Sequence, residues 1–293
     1  MNKKILLTNC SLRTSYVAMR NLNKHGVKCI VSDYSYLGMS QFSRLHNGFE
    51  PYNSHYINEN KFISDIQKIC KKQNISYIFP SHNETEIIAK YKKKFNKDLT
   101  KLIPKFEHCR LFNNKKLSYD LASSIGIPVP KRLKYKNPDE IESKLKKINI
   151  SKTVIKLLTG NSSKGVFYAD SPKSTTKIVK SLISNFKLKP NRYPQIEEFV
   201  SGTGYGCSVL YWKGKLITNV VHKRIREKIN SGGTSTLREI TINNKLKNYT
   251  IKLFNHIGWH GLAMCEYKFN ENTGDVWFIE VNPRMWGSIP VAI

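Results

Sequence analysis

Glu280, Asn282 and Arg284 alternate along Phe278-Ile279-Glu280-Val281-Asn282-Pro283-Arg284-Met285-Trp286-Gly287-Ser288, and another acid, Glu266, lies fourteen residues upstream of Glu280. The apolar run from Val276 to Val281 predicts a strand. Side chains alternate along a strand, so the carboxylate, the amide and the guanidinium point the same way. Hard oxygen ligands beside a fixed cation suit holding Mg²⁺ on a polyphosphate and neutralising charge as a phosphoryl group leaves. A surface hairpin carrying a salt bridge is the plainer alternative.

Other segments offer partners for such chemistry. Gly160-Asn161-Ser162-Ser163-Lys164-Gly165 has the spacing of a phosphate-binding P-loop, but Val166 stands where that motif requires Lys. Its hydroxyls, lysine and amides could still cover phosphates as a hairpin tip, or form a plain turn. Lys156, between Ile155 and Leu157, must snorkel or meet an anion if its strand is buried. Lys115 opens a helix and could place its ammonium near a phosphate; either lysine could equally lie on the surface. Glu197-Glu198-Phe199-Val200 leads into Gly202-Thr203-Gly204-Tyr205-Gly206. Backbone groups there could read an adenine edge, although a glycine-rich turn is the simpler reading. His222-Lys223-Arg224-Ile225-Arg226 is either an anion site or a solvated basic turn. No G-x-S-x-G elbow suggests a hydrolase.

The elements that must position these residues fall into two textures. Up to about residue 110, strands (Lys4 to Thr8, Val27 to Ser32, Ser76 to Pro80) alternate with helices (Ser15 to His25, Phe62 to Gln73, Glu84 to about Lys93), which predicts an α/β, doubly wound parallel sheet. Its first turn lacks G-x-G-x-x-G, which argues against dinucleotide binding. Beyond residue 113 come helices at Lys115 to Ile125 and Pro138 to Lys147, strands at Thr153 to Leu158 and Val166 to Ala169, and a hairpin-rich region over Ile196 to His222. A helix over Asn244 to Gly258 and strands over Gly261 to Asn270 and Val276 to Val281 follow.

With 293 residues, 40% hydrophobic, the chain can form two packed domains. No apolar run reaches the ~20 residues that span a bilayer, so no membrane partner is expected. Six scattered cysteines without a C-x-x-C pair read as reduced thiols in the cytoplasm. The net charge of +28 raises the question of nucleic acid, but the lysines are spread along a chain also rich in Asn and Ile. No aromatic-interleaved basic stretch or zinc-finger pattern accompanies them, so no specific nucleic-acid partner is expected.

Together and in this order, these segments resemble the ATP-grasp superfamily, closest to its carbamoyl phosphate synthetase large-subunit-like carboxylate–amine ligases. The resemblance implies a Rossmann-like leading domain (residues 1–112) and a two-part α+β ATP-grasp domain (113–293). The phosphate-covering loop falls in 113–195 and the metal site in 196–293. It further implies that Lys115 and Lys156 hold ATP phosphates while Ser162, Ser163, Lys164 and Gly165 close over them. Glu197, Glu198, Phe199 and Val200 would form the adenine hinge, and Tyr205 stands where relatives often place a ribose-binding Glu. Glu266, Glu280 and Asn282 would bind Mg²⁺, with Mn²⁺ as the alternative ion. Arg284 would steady the transferred phosphoryl group and Arg224 face the phosphates. The implied reaction activates a small carboxylate as an acyl-phosphate for attack by an amine. An inactive or regulatory ATP-binding protein of the same fold is the alternative, and a homodimer is open. Relatives usually continue past the equivalent of Ile293, so a fragment or a shortened form, with reduced stability or activity, is expected.

Overall fold

The computed structural model describes residues 3–160, 165–227 and 235–292. Strand β1 (Lys4–Leu7), helix α1 (Arg13–Lys24), strand β2 (Lys28–Asp33) and strand β3 (Phe49–Pro51) open the chain, followed by α2 (Glu59–Lys72), β4 (Tyr77–Phe79) and α3 (Glu84–Lys90). The four strands form one parallel sheet in the order β3-β2-β1-β4. Most of its strand residues are buried because helices cover the sheet, as in other parallel sheets. The chain leaves β1 toward β2 on one side and later adds β4 on the other. The turns after β1 and β4 therefore flank the crevice at the carboxyl ends of the strands, where such sheets take ligands.

Helices α4 (Phe106–Asn113) and α5 (Lys115–Ser124) connect to a second sheet. It is built from β5 (Arg132–Leu133), β6 (Thr153–Lys156), β7 (Val166–Ala169) and β8 (Gln195–Glu198), in the order β5-β8-β6-β7, and is backed by α6 (Ile141–Lys147) and α7 (Pro172–Asn185). Asn114 caps α5, accepting from the amides of Lys116 and Leu117. The third sheet is antiparallel: β9 (Thr203–Trp212), β10 (Lys215–Glu227) and β11 (Ser235–Thr241) precede helix α8 (Asn244–Ile257) and strands β12 (Gly261–Phe269) and β13 (Val276–Asn282). Their order is β11-β10-β9-β12-β13. One face carries the largest core, where Cys207, Tyr211, Tyr267 and Phe278 meet Phe254 and Trp259. The other face is open to the cleft described below.

The expected elements are present, several with shifted ends. Five further ones are β3, α4, β5, α7 and β11. Strand β10 extends through Glu227, and the glycine-rich segment expected as a turn is instead the start of β9. Trp286, Met285 and Ile289 pack on Leu7, Cys10 and Met19, tying the segment after β13 to the first sheet. All six cysteines are free and buried. Among the described residues no helix is long and apolar enough to cross a membrane.

Candidate functional site

The open face of the third sheet, the inner edge of the second sheet and the turns after β1 and β4 enclose a cleft of about 430 Å³. Glu266 and Glu280 are direct cross-strand partners on β12 and β13. Opposed like charges on adjacent strands are unfavourable unless something neutralises them. Burial, and then Glu266, pushes the Glu280 carboxyl above its ordinary range, while Lys115, Lys156 and Arg284 pull it back. Simple alternation would put Glu280 on the core side with Val276 and Phe278. A register shift next to Glu266, with Tyr267 paired to Phe278, leaves one extra residue on β13. This β-bulge sends Val276, Phe278 and Val281 to the core and Glu280 and Asn282 to the cleft.

Asn282 Nδ2 donates to Glu266 Oε1 at 3.2 Å. The other Glu266 oxygen accepts from Arg224 Nη2 at 2.5 Å, and Arg224 Nη1 reaches Glu227 at 3.2 Å. Arg224 can enter this position because β9 presents glycines beneath it. A Cβ on Gly204 would come within 2.7 Å of Arg224 Cδ, and one on Gly206 would strike the His222 imidazole. The glycines expected to make a turn thus clear room for β10 side chains. Burial, Arg224 and Arg238 hold the His222 imidazole neutral, its pKa pushed down to about 4.

Lys115 Nζ lies 3.8 Å from Glu280 Oε2 and donates to the Gly160 carbonyl at 3.1 Å. Gly165 O accepts from Leu157 N at 2.8 Å, which holds the other end of that loop. Ser162, Ser163 and Lys164 lie outside the described residues. Lys156, only 5% exposed, is ion-paired with Glu197 and donates to Tyr119 Oη at 3.0 Å. The amides of Glu198 and Phe199 are already given to the Lys131 and Lys152 carbonyls, at 2.9 and 3.0 Å. Any backbone reading of an adenine edge therefore falls to the carbonyls of this segment and to the Val200 amide, which donates to nothing among the described hydrogen bonds. Val154, Leu157, Tyr168 and Phe199 give this end of the cleft its apolar walls.

Tyr205 is the exception among the expected residues. It faces the core, stacks edge-on to Phe269 and donates to Glu271 at 2.8 Å. Strand alternation sends it away from Gly204 and Gly206, so it cannot reach a sugar in the cleft. Lys268, two residues beyond Glu266 on the same face, lines the cleft instead. That spacing was readable in the sequence. Arg13, Ser81, His82 and Arg238 also line it, and no motif marks them.

Among the described residues, no three His, Cys, Asp or Glu side chains form a metal-holding group. Two glutamates and an amide suit an ion that completes its oxygen shell with phosphates, as Mg²⁺ on a nucleotide does. The donor set fits Mg²⁺–ATP better than a bare metal ion.

The model of the ATP-grasp domain matches residues 112–288, more than half of the chain. The chain belongs to the ATP-grasp family. Its fold is shared with a biotin carboxylase from Campylobacter jejuni in complex with a β,γ-ATP ligand (TM-score 0.79, 16% identity), covering 100% of this chain and 67% of that one. It is shared also with the biotin carboxylase domain dimer of Hydrogenobacter thermophilus 2-oxoglutarate carboxylase, in complex with MgADP, ADP and bicarbonate (TM-score 0.77, 17% identity, 99% and 66% covered). An L-amino acid ligase from Bacillus licheniformis is similar as well (TM-score 0.68, 14% identity, 99% and 69% covered). The chain thus spans about two thirds of the length of these ATP-grasp structures. No curated protein matches its sequence.

Proposed function

We propose that the chain is an ATP- and Mg²⁺-dependent ligase that activates a small carboxylate as an acyl-phosphate and passes it to an amine. The observation that carries this reading is the convergence of Glu266, Glu280 and Asn282 with Lys115, Lys156, Arg224 and Arg284 on one cleft with an apolar end. Residues 1–112 would form the leading domain and residues 113–293 the nucleotide clamp. Lys115 and Lys156 would bind phosphate oxygens, Lys156 sharing its charge between Glu197 and the nucleotide. Mg²⁺ held by Glu266, Glu280 and Asn282 would supply charge neutralisation at the polyphosphate.

The γ-phosphorus loses its bond to the bridging oxygen, a carboxylate oxygen takes that bond, and ADP leaves. The amine then attacks the acyl carbon, the C–O bond breaks, phosphate departs with its electron pair, and the amine's proton goes to solvent. Arg284, aimed into the cleft beyond β13, would steady the moving phosphoryl group. Phosphoryl transfer needs positioning and charge stabilisation more than a protein nucleophile.

The contact of Arg224 with Glu266 favours a second reading, in which a side-chain cation replaces the metal and the protein binds nucleotide without turnover. Thermal unfolding with ATP, with and without Mg²⁺, is the first test. A ligand at 100 times its dissociation constant adds ~2.7 kcal/mol to the folded state. A Mg²⁺-dependent rise followed by ADP release on adding acids and amines supports the ligase. A rise indifferent to Mg²⁺, without ADP release, supports the second reading.

A further inference from the structure

At the cleft end lined by α1, the electrostatics differ from those at the nucleotide end. Arg13, Arg238 and Arg284 all line the cleft, and none has a carboxylate at ion-pair distance among the described residues. Arg284 Nη1 donates to the Met285 carbonyl at 2.9 Å and Arg238 Nη2 to the Ser235 carbonyl at 2.6 Å. Arg13 comes from α1 on the first sheet and Arg238 from β11 on the third, yet both line the same cleft. Two unpaired guanidiniums from different sheets facing one space repel one another, and a shared anion relieves that repulsion.

The surroundings point the same way. Helix α1 begins at Arg13 with no side-chain cap from Leu12 and no acid in its first turn, so its leading amides keep their affinity for negative charge. Thr14 and Ser81 line the same end of the cleft, at 8% and 1% exposure. Both hydroxyls are buried without a hydrogen-bond partner among the described residues. A buried hydroxyl without a partner is costly unless a ligand supplies one. The nearby acids have other partners: Asp33 accepts from the Ser11 and Ser35 amides, Glu84 from Asn9 and Tyr52, and Glu266 from Arg224 and Asn282.

We propose that Arg13, Arg238, the first turn of α1 and the hydroxyls of Thr14 and Ser81 form a second anion subsite, so that the acid substrate carries a further anionic group beside the carboxylate that reacts. This rests on the ligase reading and names its substrate class: a dicarboxylate, or a carboxylate bearing a phosphoryl group. Arg284 remains with the transferred phosphoryl group.

Calorimetric titration of the full chain with butyrate, succinate and 3-phosphonopropionate, in the presence of MgADP, tests the proposal. Either dianion should bind roughly tenfold tighter than butyrate or better, as expected for one charge-assisted contact. The better of the two identifies the second group as carboxylate or phosphate. Arg13→Gln and Arg238→Gln should each remove most of that advantage while leaving MgADP affinity in place. Equal binding of all three acids by a chain that binds MgADP overturns the subsite and leaves the ligase reading standing. Weakened MgADP binding in either variant assigns the arginine to the nucleotide and overturns the subsite as well. A dianion preference in a chain that ignores MgADP keeps the anion site but refutes the ligase reading, and with it the substrate assignment.

Discussion

The two ends of the cleft are both lined with cations, yet they are balanced differently. Around β6, β8 and β10, Lys156 has Glu197, Lys115 has Glu280, and Arg224 has Glu227 and Glu266. Near α1, Arg13 and Arg238 have no carboxylate at ion-pair distance among the described residues, only a carbonyl for Arg238. Pre-paired charges keep a desolvated site stable until a ligand exchanges for one partner. Unpaired guanidiniums store repulsion that only an anion removes. Under the proposed function, the first end would exchange a protein partner for the nucleotide and the second would capture an anion.

The largest effect should come from the paired end. Glu280→Gln removes one charge from the proposed metal ligands and should cut Mg²⁺-dependent ADP release by roughly 10²–10³-fold, the scale of losing a preorganised transition-state contact. The melting temperature should stay near that of the parent. Undiminished ADP release would put the chemistry elsewhere.

Glu197→Ala should instead act on stability. It strands Lys156, 5% exposed, without its counter-charge, a loss of about 3–5 kcal/mol by denaturant titration. Replacing both residues together, as Lys156→Met with Glu197→Leu, should recover most of it, because a buried pair rarely outperforms apolar residues of similar size. If the double variant is no more stable than the single one, the pairing is not what holds this end.

Gly206→Ala sharpens the comparison at the boundary between the ends. The new methyl must displace the His222 ring, at a cost of about 1–3 kcal/mol by denaturant titration. A neutral result would mean that the ring shifts freely.

A further effect is with pH. His222 is 1% exposed and takes its proton in the folded state only near pH 4, against about 6.5 when unfolded. Between those values the unfolded chain binds the extra proton. Stability should therefore fall as pH drops from about 6.5 toward 4, by up to about 1.4 kcal/mol per pH unit from this group. Above that window the group contributes no slope. His82, also pushed down to about 4 by burial and then by Arg284, acts in the same range. Urea unfolding of His222→Gln across this range should show a shallower slope than the parent, and an equal slope would reject the assignment.

Much of this arrangement was legible in the sequence because it depends on local period and local chemistry. Alternation in Glu280, Asn282 and Arg284 announced one shared face, and the apolar runs around them announced the strands. The bulge that makes Glu280 face the cleft was not legible, because Val276 to Val281 reads as an unbroken apolar strand and the extra residue depends on pairing with β12. The same limit hid the role of Gly204 and Gly206. Their use lies in side chains of β10, a neighbour brought alongside by the hairpin rather than by proximity in the turn. Tyr205 was misplaced for the same reason.

By itself, then, the chain's composition and spacing determined the alternation of strands and helices, the carboxylate–amide–guanidinium motif and the family resemblance, since each is written within a few neighbouring residues. Which cations would be neutralised, which glycines would yield space, and which arginines would line the same cleft were decided only in the folded molecule. Those outcomes depend on distances between residues far apart in sequence, and charge–charge energies change steeply with distance and burial.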